Sequence, residues 1–170
     1  GAFASAIKAN ELGAKTLLVN KGLPLGGTCV NVGCVPSKTL LFASEVMHLA
    51  GNHNIPGIDI EVKNFDFQKV VSDELDLVTK LREEKYEKVL KSLENVTHIE
   101  GRAKFVSQNE IEVDGKKYQA EKLIIAAGST TTIPQIDGIK EVGYITHIEA
   151  LKLAKQPEEL IVVGAGPLGL

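Results

Sequence analysis

Cys29 and Cys34 are the only two cysteines among the 170 residues, and both fall in one short stretch, Gly26-Gly27-Thr28-Cys29-Val30-Asn31-Val32-Gly33-Cys34-Val35-Pro36-Ser37-Lys38. Two thiols so placed fit a redox pair, half of a metal site, or two inert buried side chains. The neighbours favour the first. Gly26 and Gly27 let the backbone approach a flat or phosphorylated ligand closely. Gly33 relieves the strain of the small ring that a disulfide would close. The pair sits near the start of a helical pattern, where the helix dipole favours a thiolate over a thiol, and Lys38 adds positive charge one turn later. A thiolate is the better nucleophile and electron donor. A structural zinc site wants four ligands in paired spacing, and His48, His53, His98 and His147 are scattered without it. The Gly, Pro and Lys context exceeds what packing two inert thiols needs.

The elements around this stretch alternate in type. Ala2 to Leu12 places Phe3, Ala6, Ile7 and Ala9 at helical spacing, with Gly13 as the stop. Ala14 to Asn20 is a short apolar strand, so helix and strand read as the second half of a βαβ unit. Lys21 to Gly27 is a loop. A helix is expected from about Cys29 to Leu49, with Pro36 near its start, where a missing N–H costs least. Ala50 to Asn64 connects to a long helix over Phe65 to Leu93, supported by Glu84 and Lys88 at i,i+4. Then come strands at Val96–Ile99, Ala103–Val106, Glu110–Val113 and Lys117–Gln119, with a tight hairpin at Asp114-Gly115. Lys122 to Ala127 reads as a buried parallel-type strand ending at Gly128-Ser129, and Pro157 to Val163 as a strand entering a second Gly-rich turn.

Length and composition suit one ordinary globular domain with a short extension: 44% hydrophobic, 24% charged, net charge −3. That balance gives no electrostatic reason to expect nucleic acid or a membrane surface as partner. No apolar run approaches the ~20 residues needed to span a bilayer, and no signal-peptide pattern opens the chain. The chain starts Gly-Ala-Phe-Ala, without Met, and ends on Gly164-Ala165-Gly166-Pro167-Leu168-Gly169-Leu170. Both ends read as cuts inside structural units, so a fragment of a longer protein is expected.

The cysteine stretch closely resembles the redox motif of the pyridine nucleotide–disulfide oxidoreductases. The order of helix, strand, motif, long helix, meander, Ala126-Ala127-Gly128-Ser129 turn and Gly164-x-Gly166-x-x-Gly169 follows that family over essentially the whole chain. The resemblance implies an α/β fold: a Rossmann-like FAD-binding domain, three-layered, with a parallel sheet plus a β-meander. It implies residues 1–156 as that domain, its first strand and phosphate turn missing, and 157–170 as the start of an NAD(P)H-binding domain. It implies Cys29 as the interchange thiol facing substrate and Cys34 as the thiol against the flavin. Lys38 would sit near the flavin ring, and Gly27 and Thr28 would touch FAD. Ala2 would stand at the last small position of the phosphate turn, Gly22 near the adenosine end and Ala103 at adenine, while Gly128 would close over the cofactor. Gly164, Gly166 and Gly169 would bind the nicotinamide nucleotide, NADPH or NADH. One position departs from the pattern. The second strand of the family ends on an acidic residue that accepts from ribose hydroxyls, and here Asn20 stands there, able to accept without charge.

Within the family, Val30, Val35 and Ser37-Lys38, with the segment Leu81 to Leu90, look most like the mercuric reductases; the dihydrolipoamide dehydrogenases and related disulfide reductases are the alternative. The first resemblance implies Hg(II) as a substrate held transiently by Cys29 and Cys34, a small-molecule or metal-ion substrate in general, a homodimer, and a cytoplasmic location. A vicinal cysteine pair near the family's C-terminus would mark mercury, and a His-x-x-x-x-Glu pattern a disulfide substrate. The non-enzyme alternative is an inactive FAD-binding fragment or a thiol redox module.

Overall fold

The computed structural model describes residues 1–169. The described residues pack as two compact units, Gly1–Asn31 with Leu81–Thr130, and Val32–Lys80 with residues 131–169.

In the first unit, helix α1 (Ala2–Glu11) leads into strand β1 (Thr16–Asn20). Gly13 makes the turn between them, at φ 70° where a side chain would be strained. Ala6 is buried from α1. β1 pairs in parallel with β2 (Val96–Glu100), in a register running from Thr16 opposite Val96 to Asn20 opposite Glu100. The Asn10 side-chain oxygen accepts the Asn95 backbone N–H at 2.9 Å, pinning the start of β2 to the end of α1. A three-stranded antiparallel meander follows: β3 (Ala103–Ser107), β4 (Glu110–Val113) and β5 (Lys116–Gln119). Its β4–β5 turn is Asp114-Gly115, at φ 47° and 84°, the pair of positive values that a tight hairpin demands. The expected hairpin is therefore present.

The long helix is also present, but not uniform. Helix α4 (Phe67–Arg82) passes into a π-helical turn at Glu83–Glu87 and then α5 (Lys88–Lys91). In the second unit α4 buries Val71, Glu74 and Val78, a stripe at helical spacing. The Gln68 amide donates to the Ala154 carbonyl at 3.1 Å. Two short helices, α6 (Ile139–Val142) and α7 (His147–Ala150), lie in the same unit. α7 opens with a capping box, Thr146 accepting from the Ile148 N–H and Glu149 from the Thr146 N–H.

Three expectations are corrected. The helix expected from Cys29 to Leu49 is two: α2 (Gly27–Val32) and α3 (Cys34–Asn52), separated by a bend at Gly33. Lys122 to Ala127 forms no strand, and Ile124 and Ile125 are 73% and 74% exposed. Pro157 to Val163 forms none either, with Ile161 89% exposed. A strand is defined by a hydrogen-bonded neighbour, and the described residues provide just a two-stranded parallel sheet and the meander. These apolar runs have the composition of interior strands without a ladder to join. The architecture is α/β, with parallel pairing in one sheet and a separate antiparallel meander.

Candidate functional site

The two cysteines fall on different helices. Cys29 is the third residue of α2, and Cys34 is the first of α3; both are exposed. The N-terminal end of a 19-residue helix therefore opens at Cys34, not at Cys29. Lys38, one turn into α3, is exposed and lines an open depression with Leu41, Phe42 and His48.

The turn that leads into α2 is tightly specified. Gly26 and Gly27 have φ of 102° and 67°. A side chain on Gly26 would run into Val30 and the Tyr86 ring, whereas one on Gly27 would meet nothing within 4 Å. Only Gly27 thus offers open backbone to a ligand; Gly26 answers to internal packing. Asn31, 6% exposed, donates its amide to the carbonyls of Pro24, Leu25 and Gly27 at 3.0, 3.1 and 2.9 Å. Its oxygen accepts from Arg82 Nη1 at 3.2 Å, and Arg82 Nε lies 3.5 Å from Glu87 Oε1. Tyr86, from the same π-helical turn, meets Phe3 edge-on with ring centroids 5.0 Å apart.

The remaining predicted positions gather at the ends of elements. Ala2 is the first residue of α1, whose N-cap Gly1 makes no side-chain cap. Ala126 lies beside it, its Cβ 3.7 Å from where a Gly1 side chain would begin. Gly22 and Gly128, at φ 98° and 70°, leave open space where a Cβ would stand. Asn20 ends β1; its amide donates to the Leu23 carbonyl at 3.0 Å and to Glu100 Oε1 at 3.2 Å. A carboxylate therefore does stand at this strand end, on β2. Thr28 is exposed on α2, and Ala103 is exposed at the start of β3. In the second unit, Gly164 has φ 125°, and the Gly169 N–H donates to the Gly166 carbonyl at 2.9 Å, closing a turn.

Sequence reasoning missed Asn31, Arg82, Tyr86 and Glu100. Asn31 stands inside the motif, where its type alone points to no partner. The other three are linked to the site by pairings 51 or more residues away in the chain, which no local pattern reports: Asn31 with Arg82, Gly26 with Tyr86, Asn20 with Glu100. Among the described residues, no cluster of three or more His, Cys, Asp and Glu is arranged to hold a metal ion, and no helix is long and apolar enough to cross a membrane.

Known proteins resemble the chain in sequence and in fold. The chain is 44% identical over 169 residues to a mercuric reductase of Bacillus cereus, covering 99% of the chain and 26% of that protein. It is 38% identical over 180 residues to mitochondrial dihydrolipoyl dehydrogenase 1 of Arabidopsis thaliana, covering 34% of that protein. Among solved structures, a Cu(II) complex of the HOCl-induced flavoprotein disulfide reductase RclA from Escherichia coli superposes with a TM-score of 0.72 at 26% identity, over 88% of this chain and 31% of that one. The chain thus spans about a quarter to a third of the length of these proteins. The pyridine nucleotide-disulphide oxidoreductase family matches residues 1–170 throughout, and the chain belongs to that family.

Proposed function

We propose that this chain is the FAD-binding part of a flavin–disulfide oxidoreductase in which Cys29 and Cys34 carry electrons from NAD(P)H to Hg(II). The family works with FAD and a nicotinamide nucleotide. The observation that carries the reading is the exposure of both cysteines on either side of the Gly33 bend, one on α2 and one opening α3.

The residues present fit a dinucleotide. α1 begins without a side-chain cap, which leaves first-turn N–H groups to face a pyrophosphate. Gly22, Gly27 and Gly128 have positive φ, and a Cβ at each would meet nothing within 4 Å, so the backbone there is open to close approach by a ligand. The flavin, when bound, supplies the two-electron link between nicotinamide and disulfide. Ala2, Asn20, Gly22, Gly27, Thr28, Lys38, Ala103 and Gly128 would hold FAD. Gly164, Gly166 and Gly169 would open the NAD(P)H-binding domain, with the division at residues 1–156 and 157–170.

The cysteines do the chemistry at the substrate. Two electrons and two protons break the Cys29–Cys34 bond and leave two thiols. Cys29 faces substrate, and both thiolates suit a soft metal ion. Overall, NAD(P)H and Hg(II) give NAD(P)+, elemental mercury and one proton. The greater identity to a mercuric reductase supports this substrate. A homodimer and a cytoplasmic location complete the reading, since a thiol pair that cycles at the expense of NAD(P)H belongs in a reducing compartment.

The similarity to a dihydrolipoyl dehydrogenase favours a second reading, in which the pair acts on a small disulfide. NADPH-dependent release of mercury vapour by the full-length protein, abolished by Cys29→Ser, tests between them. Dihydrolipoamide turnover without mercury release would replace the first reading by the second.

A further inference from the structure

We infer that Asn31 and Arg82 form a positioning pair that holds the reactive cysteine's helix in place, an inference that rests on the reading of Cys29 as a redox thiol. α2 has six residues, too few for a helix to persist by its own hydrogen bonds. Something outside it must fix it. Val30 and Val32 bury two of its side chains, at 3% and 2% exposure, but apolar burial sets no unique orientation of the preceding turn.

Asn31 supplies the orientation. Its amide carries two hydrogens, shared among the Pro24, Leu25 and Gly27 carbonyls. Its remaining atom, the oxygen, takes the Arg82 guanidinium. Arg82 is itself held from the far side by Glu87, across the π-helical turn. That turn, Glu83–Glu87, widens the helix where Arg82 and Tyr86 must both reach the cysteine loop, and π-helical turns of this kind recur at functional sites. The Tyr86 ring closes the other flank, against Phe3 and the backbone at Gly26.

The pair acts through the helix and not on the reacting sulfur, so its signature is the equilibrium of the thiols. Closing the Cys29–Cys34 bond expels two electrons and two protons to the oxidant, and the ease of closure depends on how often the two sulfurs meet. A looser α2 lowers that effective concentration and makes the disulfide easier to reduce.

The experiment measures the dithiol–disulfide equilibrium of the full-length protein against glutathione redox buffers, with Cys29 and Cys34 counted by alkylation. Arg82→Met is expected to cost about tenfold in the closure constant, a potential about 30 mV less negative. Arg82→Lys, which keeps one charged donor for Asn31, recovers most of it. Asn31→Ala shifts the potential at least as far, and Asn31→Ala with Arg82→Met shifts it no further, because the two act as one unit. Arg82 is 22% exposed, so its variants keep the test alive if Asn31→Ala does not fold. A wild-type potential in Arg82→Met overturns the inference. Full NAD(P)H-dependent turnover in Cys29→Ser would instead remove the redox reading beneath it, so the two failures are distinct.

Discussion

The Asn20 amide nitrogen stands 3.2 Å from Glu100 Oε1, at the shared end of the parallel strands β1 and β2. The carboxylate missing from one strand is present on its neighbour. Asn20→Asp would set two carboxylates opposite each other, and like charges across a strand pair are destabilising. The expected loss is about 0.5–1 kcal/mol, and Asn20→Asp with Glu100→Gln should recover it. Thermal unfolding of the three proteins checks this; additive losses would mean that the two side chains do not interact.

Gly26 and Gly27 are neighbours in the chain with different duties. Gly26→Ala combines a φ of 102° with collision against Val30 and Tyr86, so it should cost about 1–3 kcal/mol. Gly27→Ala, at φ 67° over open space, should cost about 1 kcal/mol and should weaken FAD retention more than stability. Unfolding midpoints and flavin release on gel filtration separate the two. Equal losses in both measurements would contradict the division.

Glu74 is 1% exposed, and neither carboxylate oxygen has a hydrogen-bond partner among the described residues. Burial holds its carboxyl above the ordinary carboxylate value, an effect partly offset by the positive charge of Lys152. The folded state then binds a proton more tightly than the unfolded state. Its contribution to stability is complete below the unfolded value of about 4.3 and is lost as pH rises through the folded value. Protection of the α4 amides against hydrogen exchange, measured relative to the free-amide rate at each pH, should fall over that window, and Glu74→Gln should flatten the dependence. A slope of opposite sign in the wild-type protein would refute the assignment.

Lys152→Ala removes the positive charge that opposes this effect at Glu74 among the described residues. The window of pH-dependent α4 protection should therefore extend to higher pH in that variant. An unchanged profile would show that Lys152 is screened from the carboxylate.

The cysteine motif, the meander and the order of elements were legible because each is written in local spacing: two thiols around Gly33, alternating strands and Asp114-Gly115. The break between α2 and α3 was not, since Val30 through Ser37 carry no strong helix breaker except Gly33 and Pro36, and Pro36 is tolerated in a first turn. Lys122–Ala127 has a strand's composition, but a strand also needs a partner, which composition does not supply. Glu74 was hidden in the charged run Ser72-Asp73-Glu74-Leu75-Asp76, where only packing distinguishes the inward carboxylate from the outward ones. Asn31 was visible as a letter, but its bond to Arg82 spans 51 residues.

Cys29 and Cys34 are proposed to exchange electrons with NAD(P)H. The direct measurement is differential alkylation of the full-length, FAD-loaded protein under anaerobic conditions, read by mass spectrometry at each cysteine. Oxidised protein should leave both sulfurs unlabelled, and one equivalent of NAD(P)H should make both reactive together. Labelling of either cysteine that is the same before and after NAD(P)H would contradict the account.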